Sequence, residues 1–459
     1  MHTDVEQERF DSISPLDYRY RNKKARKLLS ENGFTLYKLL VELALIKAFA
    51  RRGLCPAEQV EAVERACKQV TTAEVYREEK RIKHDIRALV NCLRAKLERK
   101  EDVHKGATSY DIVDTANAAR YRDAIEQILI PSLIALERVL IDISLREADT
   151  IQIGRTHGQH AVPITFGFAM SGFVSRLGES IVKLKGLASE LNGKFSGAVG
   201  AYNATSLIVD DPKAFEAEIL EHLGLQPAEH STQIVPPDRL TRLFAEVTIT
   251  GGILGNLAHN MRHLQRTEIG EVYEESTEDQ VGSSTMPHKR NPINLENAAS
   301  TLKILIGRMV TVFLNQVSEH ERDLTSSASS RPDGEHIAYL IEMADRMTAT
   351  MGRLRINRAN IERNLHMQGD LAEPLYILLA AYGHPDAHEK VRKLTRQAEQ
   401  EQCSLSLLAS EDQELKPYLL QMKPEQLEVV QNPSLYIGLA PVIARKVAEH
   451  WKRELCSEY

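Results

Sequence analysis

Aromatic side chains are scarce, at 5% of 459 residues, and so is positive charge: 58 lysines and arginines face 64 aspartates and glutamates, a formal net charge of -6. The chain therefore has no overall basic field to hold nucleic acid or an anionic membrane surface, and any phosphate it binds is met by local groups. Cysteine is nearly absent too. The five present, Cys55, Cys67, Cys92, Cys403 and Cys456, are odd in number and scattered, without a C-x-x-C pair or a Cys/His cluster. That argues against a disulfide framework and a cysteine-based metal site, and fits a reducing cytoplasm. The N-terminal MHTDVEQERF is acidic where a signal peptide is basic and then apolar. No run of the roughly 18 uncharged apolar residues expected of a membrane span occurs. Alternating strand patterns are few, and no strand leads into a glycine-rich nucleotide loop, so neither metal nor cofactor is expected.

What the chain does have is helical periodicity. Residues 31–52 place Leu36, Leu39, Leu40, Leu43, Ile46 and Ala50 on one face and stop at Gly53, with Pro56 beyond. Thr71 and Glu74 have capping-box spacing, after which Ile82, Ile86, Leu89, Leu93 and Leu97 stripe a second long helix that carries His84 and Asp85. Further helical patterns run from Ser109 to about Leu145, bent only at Pro131, and over about 163–190, 238–269 and 293–319. A 30-residue helix spans roughly 45 Å, too long for a monomer of this size to cover on every side. Residues 243–261, LFAEVTITGGILGNLAHNM, are apolar around most of the circumference, as in a buried helix of an oligomeric bundle. The fold class is all-α, with partner chains covering the long helices. Helix ends near Lys100 and near Asn364 divide the chain into an N-terminal helical domain (1–105), a central long-helix bundle (106–365) and a C-terminal helical domain (366–459).

Four stretches could carry chemistry. GSSTMPHKRNP, residues 282–292, follows the acidic EVYEESTEDQ and feeds a helix near Ile293, with Pro287 and Pro292 forbidding regular structure between. Amides around Gly282, Ser283 and Ser284 could form an anion nest, with Lys289 and Asn291 adding charge and donors; a solvated connection has the same composition. RTHGQHAVPITFG, residues 155–167, sets His157 before a glycine and a helix whose first turn holds Pro163. Histidine titrates near neutrality, although a loop histidine is as readily a surface residue. In HKGATSYDIVDT, Thr108 and Ser109 precede a long helix with Asp111 in its first turn, a cap that can also offer donors to an anion. In ERDLTSSASSR, Arg322 and Arg331 bracket a run of hydroxyls, which suits a carboxylate or phosphate but also an ordinary polar loop.

Taken together, TSYD, RTHGQ and GSSTMPHKRNP occur in the order of the signature regions of the fumarase/aspartase lyase superfamily, and the resemblance runs from SPLDYRY to YIGLAP. KHDIRALV, GRTHGQHAVPITFG, KFSGAVGAYNA, MPHKRNP and ERDLTSSASSR are most similar to its adenylosuccinate lyase family. The resemblance implies a three-domain fold around a long-helix tetramer core, three subunits contributing to each site, and elimination of fumarate in two steps of purine synthesis. Such an elimination builds negative charge on a carboxylate, so donors aimed at that group lower the barrier.

The resemblance also implies roles. Ser283 is the base, with Ser284 beside it, activated as the loop closes; Lys289 and Asn291 hold the carboxylate, and Met286 lies in the same substrate loop. His157 is the general acid to the departing nitrogen, with Glu296 orienting it. His84 and Asp85, after Lys83, lie by the phosphate and ribose; Thr108 and Ser109 meet the succinyl carboxylate. Gln233, Arg322, Ser327 and Arg331 contact substrate, and Arg19 and Tyr20 meet the phosphate. Two positions depart from the family: Lys83 stands where arginine is usual, and GHPDAHEK lacks a common arginine. Lysine lacks the planar fork, which reshapes one phosphate contact.

Rival readings are 3-carboxymuconate cycloisomerase, which tends to carry tryptophan at the place of His157, and a catalytically silent structural relative, which would have lost its acid or base. Argininosuccinate lyase and fumarase differ at His288. The presence of His157, Ser283, Lys289, Glu296, Arg322 and Arg331 favours the nucleotide lyase.

Overall fold

A computed structural model describes residues 9–14, 22–275, 285–286, 288–367 and 371–456. Helices dominate it, and the strands form three separate two-stranded pairs among the described residues. The all-α expectation holds. Two compact units emerge: residues 1–135, 179–256 and 297–347 form one, and residues 136–178, 257–296 and 348–459 form the other.

In the first unit, α1 (Lys23–Leu29) begins at Asn22, whose side chain accepts from the amides of Lys24 and Ala25. Ser30 ends α1 and caps α2 (Glu31–Arg51) by accepting from the Gly33 amide. Leu39, Leu43 and Ile46 are buried as the periodicity predicts, but Val41, Leu45 and Ala48 are buried too, while Leu36 is 47% exposed. The helix is wrapped on most sides rather than along one stripe. After α3 (Glu58–Gln69) comes α4 (Thr72–Ile82), which opens with the expected Thr71/Glu74 capping box.

The second long helix is in fact two. Lys83 takes a left-handed conformation, φ 61°, that ends α4, and a new helix α5 (Asp85–Arg94) starts with His84 as its N-cap, the imidazole Nδ1 accepting from the Arg87 amide at 3.3 Å. Thr108 then precedes α6 (Ser109–Ala124), as expected. The helix expected to bend at Pro131 instead widens into one π-turn, Ile125–Leu129, before α7 (Ile130–Arg146) resumes. Proline supplies no N–H and crowds the carbonyl four residues back, and a wider turn relieves both.

A larger correction concerns residues 151–165. The expected helix start around Pro163 is a strand: β1 (Ile151–Thr156) pairs antiparallel with β2 (Gln159–Thr165), Ile153 opposite Pro163. Only then does α8 (Phe166–Ser189) begin. The two loop residues between the strands, His157 and Gly158, both have positive φ, 53° and 75°. That is the backbone a tight two-residue hairpin requires.

Short β3 (Asn192–Gly193) and β4 (Gln226–Pro227) pair in parallel around α9 (Pro212–Glu221). The long α10 (Asp238–Leu264) follows and is buried along most of its length; β5 (Val272–Glu274) then precedes α11 (Ile293–Leu314). Within the first unit, Ser180 bonds Glu246 and Thr250 at 2.5 and 2.9 Å, a buried polar tie between α8 and α10. On α11 and just beyond it, Ile306, Val310, Phe313, Leu314 and Val317 are each more than half exposed, an uncovered apolar stripe at helical spacing. By length and composition alone, α11 is apolar enough to cross a membrane.

In the second unit, β6 (Leu354–Ile356), after α12 (Gly334–Gly352), pairs with β5, and α13 (Arg358–His366) follows. Leu375, Leu379, Val391, Leu394, Leu405, Leu415, Met422 and Val430 form the core of the C-terminal helices, with α14 (Ala372–Ala381) and α15 (Ala387–Glu401) as its main walls.

Candidate functional site

Residues from distant parts of the chain meet in the first unit. Asp85, at the first turn of α5, lines a cavity of about 160 Å³ together with Ser327 and Arg331 from the turn-rich stretch before α12. Asp85 is oriented by the Ile86 amide, which donates to its Oδ1 at 2.8 Å. Arg331 is exposed and makes no hydrogen bond or ion pair among the described residues, so its fork is available. His84 and Lys83 are exposed at the α4/α5 break, and His84 Nδ1 lies 3.6 Å from Asp85 Oδ1.

Arg322 lines a neighbouring cavity of about 150 Å³ that shares Tyr110, Val113, Asn117 and Ser330 with the first. Its guanidinium lies 4.0 Å from the centre of the Tyr110 ring and contacts the Tyr110 hydroxyl. Asp114 and Asp333 line this second cavity, and burial pushes their carboxyls up to about 6 and about 7. Gln233 is half-buried in a turn fixed on both sides: Thr232 donates to the Glu321 carbonyl at 2.8 Å, and the Val235 amide to Asp114 at 2.9 Å. Thr108 and Ser109 sit at the start of α6, where the Thr108 amide donates to Asp111 at 2.8 Å. The other Asp111 oxygen is held by buried Lys194 and the Gly197 amide, so the terminus is rigid.

In the second unit the hairpin presents His157 at its tip, exposed. A left-handed histidine is uncommon and marks a position whose side chain is aimed by the backbone. The base of the hairpin is anchored by fully buried Glu271, which accepts from Arg155 at 2.5 and 3.1 Å, from Gln152 at 2.7 Å and from Asn364 at 2.8 Å.

The described part of the signature loop turns through the Lys289 amide, which donates to the Met286 carbonyl at 3.0 Å, and the Ile293 amide, which donates to Asn291 at 2.9 Å. Glu274 of β5 caps α11, accepting from the Leu295 amide at 3.0 Å and the Asn294 side chain at 3.1 Å. Lys289, Asn291 and Glu296 line a groove of about 660 Å³ with Arg262, Arg266 and Arg290. Glu296 lies 3.7 Å from Arg262 rather than beside His157, and His157 does not line this groove. Arg19, Tyr20, Ser283 and Ser284 lie outside the described residues.

Sequence reasoning missed Tyr110, Glu271, Glu274 and the charged pair Lys38 and Arg120, both in the wall of the Asp85 cavity. The signal for Lys38 was there: a cation within the otherwise apolar YKLLVELALI. Glu271 and Glu274 read as members of an acidic run.

A lyase family model matches residues 4–307, and a model for the C-terminal part of adenylosuccinate lyase matches residues 318–427. An adenylosuccinate lyase of Pyrococcus horikoshii is 40% identical over 451 residues, covering 96% of this chain and 98% of that one. One from Methanocaldococcus jannaschii is 34% identical, covering 96% and 97%. Among solved structures, a 3-carboxy-cis,cis-muconate lactonizing enzyme from Pseudomonas putida superposes with TM-score 0.84 at 28% identity, over 96% of this chain and 99% of that one. A fumarate lyase from Mesorhizobium sp. BNC1, TM-score 0.82 at 23% identity over 94% and 98%, shares the fold. With full-length relatives at this identity and both family models matched in order, the chain belongs to the adenylosuccinate lyase family of lyases.

Proposed function

We propose that the protein releases fumarate from adenylosuccinate, leaving AMP, and from succinylaminoimidazole carboxamide ribotide, acting as a cytoplasmic homotetramer without cofactor or metal. The observation that carries this reading is the cavity that gathers Asp85, Ser327 and Arg331, acceptors and donors suited to a ribose and a phosphate. Arg322, one cavity away behind Tyr110, adds a second guanidinium at the same end.

In this mechanism Ser283 removes the proton beside a succinyl carboxylate, and Ser284 stands next to it. Lys289 and Asn291, with the cationic groove around them, hold that carboxylate and stabilise the charge that appears on it. His157 gives a proton to the departing purine nitrogen, and Glu296 balances its charge. Thr108 and Ser109 bind the second carboxylate, while His84, Lys83, Gln233, Met286, Arg19 and Tyr20 complete the substrate contacts.

His157 is exposed within one chain and lies outside the Lys289 groove, so a site that uses both draws them from different subunits. The uncovered stripe from Ile306 to Val317 supports such an assembly, because a neighbour's helix would bury it.

The test is to add purified protein to adenylosuccinate and follow fumarate and AMP, with carboxymuconolactone formation assayed in parallel. Turnover in the second assay alone would reassign the protein to the cycloisomerases. Ser283→Ala and His157→Ala should each cut kcat severely while leaving the assembly intact; near-normal activity in either removes that residue from the mechanism.

A further inference from the structure

The charged residues lining a groove of about 420 Å³ in the second unit are Arg146, Arg353, Arg355, Arg358, Glu147 and Glu275. None of them is a candidate substrate or catalytic residue. Four guanidiniums against two carboxylates leave an excess of positive charge in one concave place, on a chain whose formal net charge is -6.

The two carboxylates hold arginines still without neutralising the groove. Glu147, its side chain 3% exposed, accepts from Arg146 Nε at 2.9 Å, from Arg358 Nη2 at 2.7 Å and from the Thr150 hydroxyl at 2.6 Å. Arg358 Nη1 donates to Thr150 at 2.7 Å, and Arg355 Nη2 donates to Glu275 at 2.6 Å. Asp149, two residues beyond Glu147, is taken by Arg445 and does not line the groove. Arg146 therefore keeps both Nη groups free of a protein acceptor, and Arg355 keeps Nε and Nη1. Arg353 is exposed, and its side chain makes no hydrogen bond or ion pair among the described residues. Forks already fixed by a carboxylate lose little further freedom on meeting a ligand, and their planar donors match phosphate oxygens two at a time.

We propose that this groove binds an anion of linked phosphates, the chemistry shared by inorganic triphosphate and the triphosphate tail of a nucleotide. Arg146 ends α7 while Arg353 and Arg355 lie at β6, so a ligand that satisfies both walls carries charge on more than one group. The proposal stands apart from the substrate reading above and does not depend on it.

The test is calorimetric titration of the full-length protein, without divalent cation, with inorganic triphosphate and separately with ATP. Triphosphate should bind wild type with a Kd below about 1 mM at low ionic strength. Arg353→Gln, which removes a fork that holds nothing in the fold, should weaken this binding at least about fivefold, and so should Arg146→Gln. Arg65→Gln, which alters an exposed ion pair on α3, should leave it unchanged. Equal affinity for ATP and triphosphate supports recognition of the phosphates alone; tighter ATP binding that falls in Arg353→Gln supports a nucleotide as the ligand. Absence of triphosphate binding overturns the site, as does a loss of equal size in Arg65→Gln, which would mark general surface charge. Binding that survives both Arg353→Gln and Arg146→Gln also overturns it and sends the anion elsewhere on the protein.

Discussion

Replacing Glu271 by alanine tests how the hairpin that carries His157 is held. Glu271 is fully buried, and its carboxylate accepts from both terminal nitrogens of Arg155, from Gln152 and from Asn364. Alanine leaves the Arg155 guanidinium, 16% exposed, without its counter-ion. Breaking a buried pair from one side costs about 3–5 kcal/mol. Asn364 retains the Ile269 carbonyl at 3.0 Å, so its loss is partial, while Gln152 has no second acceptor of that kind among the bonds seen here. The expected destabilisation is about 4 kcal/mol, because orphaned neighbours add to the pair term less than fully. The only tryptophan, Trp451, is 9% exposed and lies in the same unit as Glu271, so its fluorescence in a urea titration reports the right region. Glu271→Gln, which keeps the shape and one acceptor, should lose less. A Glu271→Ala protein within about 1 kcal/mol of wild type would show that the network does not brace the hairpin, since ordinary surface changes stay within that range.

Three other outcomes are expected. Gly167→Ala should destabilise by about 2 kcal/mol or more in thermal unfolding, because a Cβ there would lie 2.4 Å from the Ser144 carbonyl oxygen and 2.7 Å from the Ala148 Cα, backbone atoms that cannot rotate away. The contribution of Asp333 to stability should fall as pH rises from about 4 to 7, because burial pushes its carboxyl up to about 7 and it keeps in the native state a proton that the unfolded chain has released, while His336, lowered to about 4 by burial, acts in the opposite direction; Asp333→Asn should remove the falling component in urea titrations across pH. Burial acts to lower the pKa of His104, but the charge and the 2.6 Å hydrogen bond of Glu42 outweigh it and leave it raised, so this pair's stabilisation is full below about pH 6.5 and is lost as pH climbs through the folded value; Glu42→Gln should remove that loss.

The long helices and two of their caps were legible because burial and capping act locally on residues three or four apart: Thr71 with Glu74, and Thr108, each mark a real helix start. The candidate nucleotide residues were legible as motifs, and the fold brings Asp85, Ser327 and Arg331 to one cavity. The break at Lys83 was not. Ile82 and Ile86 keep helical spacing across it, so the apolar stripe reads as continuous, and the turn is made by a lysine in a conformation usually given to glycine. Lys83→Gly should therefore stabilise the break by about 0.5–1 kcal/mol, read as a rise in the urea midpoint. An unchanged or lower midpoint would mean that contacts of the lysine, and not local backbone preference, hold the chain there.

The hairpin was hidden for a related reason. Pro163 favours the first turn of a helix as readily as a strand without a needed N–H, and only pairing across the hairpin decides between them. That decision has a chemical consequence. Had the segment after His157 been helical, the imidazole would sit on a helix-start loop free to rearrange; between two paired strands with both loop residues at positive φ, its direction is set by the register of β1 on β2. The register in turn is tied to Glu271 through Arg155 and Gln152, both on β1. The proposed acid is thus aimed by a buried carboxylate that grips Arg155, two residues before it on the strand, which is a property of tertiary packing that no local pattern in the sequence encodes.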